Sequence, residues 1–143
     1  MNLDQLEKTA QALVAEGKGI LAADESTSTI KKRFDQIGVE STEENRRSYR
    51  QLLFTTPGVG EHISGAILFD ETLRQSAADG TPFPKLLESK GVIPGIKVDK
   101  GTKPLALTDG ETITEGLDGL RERLEEYRSL GARFAKWRAT YSI

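Results

Sequence analysis

In the run Gly95-Ile96-Lys97-Val98-Asp99-Lys100-Gly101, a lysine and an aspartate stand two residues apart. In an extended strand that spacing puts Lys97 and Asp99 on one face and Ile96 and Val98 on the other. A second run, Phe134-Ala135-Lys136-Trp137-Arg138, repeats the plan, with Lys136 and Arg138 sharing a face. A lysine directed into a closed interior must be paired or used, because an unpaired buried ammonium is costly or loses its proton. Asp99 is a partner for Lys97. Asp24, at the carboxyl end of Gly19-Ile20-Leu21-Ala22-Ala23, becomes a partner for Lys136 if both strands face one lumen. Two readings follow. The four groups are ion pairs filling a polar barrel core, or the lysines hold phosphate groups and lower one another's pKa. In the second case one lysine serves as amine nucleophile or proton shuttle, with Asp24 as the orienting or proton-handling carboxylate.

Ser26 and Thr29 follow Asp24 just before a helix begins, where hydroxyls and free backbone N–H groups can bind phosphate oxygens. The local sequence favours ordinary N-capping for them. Arg33, one turn on, could reach the same anion or lie on a solvated face. Arg46 and Arg47 have Glu43 and Glu44 nearby for surface pairing. His62, the only histidine, is expected in a loop, and Trp137 is expected to pack under a helix. No phosphate-binding G-x-x-x-x-G-K-[ST] run, no G-x-G-x-x-G after a strand and no histidine-based metal spacing occurs.

The elements that must position these groups alternate. Leu3, Leu6, Ala10, Leu13 and Val14 recur at helical spacing and predict a helix from about Asn2 to Glu16, ended by Gly17. Gly19 to Ala23 reads as a strand. Ile30, Phe34 and Ile37 mark a helix ending near Gly38, and Ser41-Thr42-Glu43-Glu44 offers a capping box for another through about Leu53. Ile63 to Phe69 is the second strand, Pro84 suits the first turn of a helix, and Gly95 to Asp99 is the third strand. Leu117, Leu120, Leu124, Tyr127 and Leu130 form the clearest helical stripe, Gly131 is placed to cap it, and Phe134 to Thr140 is the fourth strand.

Strands separated by helices imply right-handed crossovers and a parallel α/β sheet. Charges at strand centres fit the polar end of a (β/α)8 barrel better than the apolar strands of a doubly wound sheet. Such a barrel needs roughly 250 residues, and the chain has 143. It is therefore expected to be the N-terminal half of one barrel domain, residues 1–143, with about four βα units. Its composition, 36% hydrophobic and 29% charged, is that of a soluble globular protein. A formal net charge of -2 gives no support for nucleic-acid or membrane-surface binding. The absence of cysteine excludes disulfides and a thiolate nucleophile. A cytoplasmic location is the expectation.

Leu21-Ala22-Ala23-Asp24-Glu25-Ser26, Thr42-Glu43-Glu44-Asn45-Arg46-Arg47, Leu68-Phe69-Asp70-Glu71-Thr72-Leu73 and the two lysine runs, taken together and in order, closely resemble class I fructose-bisphosphate aldolase. The resemblance implies a (β/α)8 barrel that cleaves fructose 1,6-bisphosphate reversibly to dihydroxyacetone phosphate and glyceraldehyde 3-phosphate. The chemistry uses a lysine Schiff base, with no metal and no cofactor. By position, Asp24 corresponds to the aspartate that assists proton transfer and C–C cleavage, and Lys136 to the lysine beside the Schiff base. Lys97 and Arg138 match contacts to substrate phosphate or hydroxyl groups, and Ser26, Thr29, Arg33 and Arg46 fall at phosphate- or substrate-binding positions. The family commonly has glycine then serine where this chain has Ser28 and Thr29. The resemblance also places the Schiff-base lysine and a glutamate acid/base on later strands, beyond Ile143, so these residues alone are expected to be inactive, while the parent is expected to be a homo-oligomer. The alternatives are a non-catalytic half barrel that binds sugar phosphate or a partner chain, and a transaldolase-like Schiff-base barrel.

Overall fold

A computed structural model describes residues 3–141 and 143. Four parallel strands form the sheet: β1 (Gly19–Ala23), β2 (Ile63–Leu68), β3 (Ile93–Lys97) and, after a small hairpin of β4 (Thr102–Pro104) and β5 (Thr112–Thr114), β6 (Phe134–Lys136). Their order in the sheet, β1-β2-β3-β6, is their order along the chain. Each crossover therefore steps the same way and, with right-handed connections, lays its helices on one side of the sheet. That is barrel winding; a doubly wound sheet would reverse direction.

The connecting helices are α2 (Thr27–Asp35), α3 (Glu43–Thr55) and α4 (Val59–His62) between β1 and β2, α5 (Asp70–Leu73) and α6 (Phe83–Ser89) between β2 and β3, and α7 (Leu120–Ser129) before β6. Alternation along the strands sorts the faces. Ala23, Ala66, Leu68, Ile96 and Val98 point outward and are buried with Phe54, Phe83, Leu87 and Tyr127 of the helices. Phe54 and Phe83 meet edge to face at 5.3 Å and anchor that layer. The opposite parity, Asp24, Lys97 and Lys136, belongs to the lumen.

At the amino end of the strands the lumen is closed by an aromatic ring. The Phe134 ring lies over Gly95 and Gly65, where a Cβ on Gly95 would overlap it. A Cβ on Gly65 would come within 2.6 Å of the Leu13 side chain. Leu13 ends the N-terminal helix α1 (Leu3–Leu13), and the Ser64 hydroxyl, at a register shift between β1 and β2, donates to the Leu13 carbonyl at 2.6 Å. Helix α1 thus hangs from the bottom of the sheet, and none of its residues is fully buried. Its predicted start at Asn2 lies outside the described residues.

Several predicted boundaries move. The third strand is two residues earlier than predicted, because Ile93 and Pro94 pair with Gly65 and Ala66. The fourth strand stops at Lys136: beyond it the Arg138 N–H goes to Asp99 and its carbonyl to the Thr114 hydroxyl, so the backbone leaves the ladder. Leu117 precedes α7 and is exposed, as is Ile37 after α2. His62 closes the short helix α4 instead of sitting in a loop. Trp137 is 36% exposed and is not under a helix. The predicted capping box does not form: Thr42, one residue past Ser41, caps α3 by accepting the Asn45 N–H, and Glu44 is turned to Arg47 and Ser48.

Candidate active site

The carboxyl ends of the strands open on a cleft of about 930 Å³ lined by Asp24, Ser26, Thr29, Arg33, Lys97, Lys136 and Arg138, among others. This is the end of an α/β barrel where loops and strand termini can present side chains from several strands to one ligand. Lys97 and Lys136 are register partners on β3 and β6, so two ammonium groups rise side by side from the lumen floor. Each has its own carboxylate. Lys136 Nζ donates to Asp24 Oδ2 at 2.5 Å, joining the two edge strands across the cleft, and Lys97 Nζ donates to Asp99 Oδ1 and to the Asp99 carbonyl, both at 2.7 Å.

Asp99 is further tied by the N–H groups of Gly101 (3.1 Å) and Arg138 (3.3 Å). Burial pushes its carboxyl pKa up, but the Lys97 ammonium and those two N–H donors outweigh burial and hold it below the ordinary aspartate range. Asp99 therefore fixes the head of Lys97, ends β3 and gathers the segment that carries Arg138. The Asp24 side chain is 8% exposed and Lys136 33%, so the pair is reachable from the cleft at its lysine.

Ser26 occupies the N-cap position of α2 with extended backbone, yet its hydroxyl takes no helix N–H. The capping favoured by the sequence is not what this hydroxyl does. It contacts the hydroxyls of Ser28 (3.1 Å) and Thr29 (3.0 Å) instead. Three hydroxyls and the uncapped first turn of α2 face the cleft, an arrangement suited to an anion. Arg33 stands beside them, half exposed and paired with Glu25.

Arg46 is not brought to the cleft. Its guanidinium is held by both oxygens of Glu71 (2.8 and 2.7 Å) and by the Ser41 carbonyl, between α3 and α5. Arg47 pairs with Glu44 at 2.6 Å, as surface pairing predicts. The cleft also has members that the sequence did not single out. Arg74 bridges Asp70 (3.0 Å) and Glu126 (2.6 Å) on one wall. Burial raises the Asp70 pKa, but Arg74 and the Tyr127 hydroxyl outweigh it and leave the carboxyl low. Glu25 and Arg50 form a buried pair behind the anion loop. A sequence signal for Arg50 exists in hindsight: it precedes Phe54 by four residues on the inner stripe of α3, where a charge requires a buried partner. Among the described residues no group of three or more His, Asp or Glu side chains is placed to hold a metal ion.

The family model for class-I fructose-bisphosphate aldolase matches residues 5–143. The chain is 66% identical over 143 residues to a probable fructose-bisphosphate aldolase class 1 of Xanthomonas campestris, covering all of this chain and 43% of that protein. It is 60% identical over 140 residues to the cytosolic fructose-bisphosphate aldolase 7 of Arabidopsis thaliana, covering 98% of this chain and 39% of that one. Among solved structures, the fructose-bisphosphate aldolase of Plasmodium falciparum, in complex with TRAP and a small-molecule inhibitor, superposes with a TM-score of 0.92 at 62% identity, over 94% of this chain and 39% of its own. The chain thus spans about two fifths of the length of the relatives it matches.

Proposed function

The chain belongs to the class-I fructose-bisphosphate aldolase family, and we propose from that premise that the whole protein carrying these residues is a glycolytic lyase. It cleaves fructose 1,6-bisphosphate reversibly to dihydroxyacetone phosphate and glyceraldehyde 3-phosphate through a lysine Schiff base. The observation that supports this most directly is the Lys136–Asp24 pair at the cleft mouth, with Lys97 as the register partner of Lys136. Two ammonium groups beside a carboxylate and a hydroxyl-lined helix start suit a substrate that brings both phosphate and a carbon skeleton needing proton transfer.

In this reading Asp24 handles the proton during C–C cleavage and Lys136 assists carbinolamine chemistry. The nucleophilic lysine comes from the part of the relatives' length that these residues do not span. Lys97 and Arg138 contact phosphate or hydroxyl groups, and Ser26, Thr29 and Arg33 bind a phosphate at the start of α2. Arg46, committed to Glu71, takes a supporting place by holding α5 and does not touch substrate. The protein works without metal or cofactor, as a cytoplasmic homo-oligomer. Relatives carry both cytosolic and chloroplastic names, so cell fractionation tests the location and sedimentation the assembly. Among the described residues no helix is long and apolar enough to cross a membrane.

Borohydride reduction of the whole protein with dihydroxyacetone phosphate, followed by intact mass measurement, tests the chemistry. One covalent triose phosphate adduct is expected. No adduct, in a protein that binds the sugar phosphate, would replace the enzyme by a binding module.

A further inference from the structure

The Glu25 carboxylate lies between two guanidinium groups of very different freedom. Its side chain is 10% exposed. On one side Arg33, from α2, reaches it with Nη1 while 56% of the Arg33 side chain remains in solvent at the edge of the cleft. On the other side Arg50, from α3, is 3% exposed and grips Glu25 twice, Nη1 on the carboxylate and Nη2 on the main-chain carbonyl at 3.0 Å. The Tyr49 ring lies 5.4 Å from the Arg50 guanidinium carbon, adding a face to its surroundings. Arg33 can turn away; Arg50 is fixed.

We propose that Arg50 is the reserve cation of Glu25, keeping that carboxylate paired when Arg33 leaves it for an anionic group of the substrate. The inference rests on the reading of Arg33 as a phosphate-binding residue. Arg33 is half in solvent and Glu25 keeps its bond to Arg50, so release of Arg33 costs little while Arg50 is present. Release that left a nearly buried carboxylate without any cation would be expensive, and that cost would be subtracted from substrate affinity. Arg50 removes it. Because Arg50 also holds the carbonyl of Glu25, between Asp24 and Ser26, the loop keeps its place when Arg33 moves.

The test uses the whole protein, with fructose 1,6-bisphosphate as substrate and inorganic phosphate as competitor. In Arg50→Met, KM and the phosphate inhibition constant are expected to rise about tenfold, with kcat falling by less than about threefold. Adding Glu25→Gln to Arg50→Met is expected to return most of the lost affinity, since no charge is then stranded. A purely structural role for Arg50 would instead lower kcat and thermal stability, with no recovery from the second substitution. That outcome, or an unchanged KM in Arg50→Met, overturns the proposal. The Glu25→Gln, Arg50→Met double variant, which strands no charge, covers the case in which Arg50→Met does not fold: its KM should stay within about twofold of the wild-type value, and a KM raised about tenfold overturns the proposal. Absence of cleavage by the wild-type protein would defeat the aldolase reading itself, which separates the two failures.

Discussion

Lys97 and Lys136 are register partners on adjacent parallel strands, and each is neutralised by a different aspartate, one local in sequence and one 112 residues away. Two ammonium groups at the spacing of neighbouring strands repel, and each has a carboxylate of its own to offset that repulsion. The pairs differ in what they hold. Asp99 anchors Lys97 within its own chain segment, whereas Asp24 ties Lys136 across the open cleft.

That difference separates two substitutions. Lys136→Met in the whole protein leaves the buried Asp24 carboxylate without its ammonium next to the proposed chemistry, and kcat is expected to fall about a hundredfold or more. Lys97→Met removes a charge proposed to contact substrate and should raise KM more than it lowers kcat. Steady-state kinetics with fructose 1,6-bisphosphate decide this. Equal losses in kcat for both variants, with KM unmoved, would show that the two lysines do not divide the work in this way.

Acid should act through Asp99. Its carboxyl is held below its ordinary value of 3.8, so the stability it contributes is fully present above that pH and is lost as pH falls below it through the folded-state value. Asp99→Asn removes the charge that Lys97 needs and is expected to cost about 3 kcal/mol near neutral pH. The gap between wild type and variant should then narrow as pH drops below 3.8. Urea unfolding at several pH values measures it. A gap that is constant or widens toward acid would contradict the assignment.

The Lys97–Asp99 pair was legible in the sequence because strand alternation is a two-residue rule that needs no knowledge of neighbours. The Lys136–Asp24 pair required one further assumption, that first and fourth strands share a lumen, and the sequential strand order satisfies it. The strand ends were less legible. Where β3 starts is decided by its pairing with Gly65 and Ala66, and where β6 stops by bonds from Asp99 and Thr114. Neither is a property of the apolar run itself. The β4–β5 hairpin, short, polar and mostly exposed, carries no burial pattern from which to read it. Arg50 carries only a faint signal, its place four residues before Phe54, because a lone arginine on a helix resembles a solvated one until Glu25 is seen behind it.

The floor of the lumen depends on a missing side chain. Gly95→Ala would drive a methyl group into the Phe134 ring, and overpacking there is expected to cost about 1–3 kcal/mol. Phe134→Leu should recover part of the loss in the double variant by vacating that space. Thermal unfolding of the four proteins gives the coupling directly. Additive losses would mean that the ring and the methyl never compete.

Arg123 decides how firmly the hairpin is attached. It donates to the Val98 carbonyl at 3.0 Å and to the Gly116 carbonyl at 2.5 Å, joining the end of β3 to the point where the excursion returns. The neck between them is closed by the Lys100 and Glu115 N–H groups, on the carbonyls of Glu115 and Gly101. The hairpin in turn holds the segment after β6, through Thr112 on Thr140 at 2.6 Å and Thr114 on the Arg138 carbonyl at 2.8 Å. Arg123→Met leaves two carbonyls without this donor, and hydrogen exchange across residues 101–116 is expected to quicken about tenfold or more. Arg123→Lys should not restore protection, because a single ammonium does not span both carbonyls as the planar fork does. Exchange measured by mass spectrometry on the whole protein tests this, and unchanged protection in the methionine variant would assign the closure to the neck's backbone bonds alone. Arg138 should lose protection along with the hairpin, since its backbone is held by Thr114 on one side and Asp99 on the other.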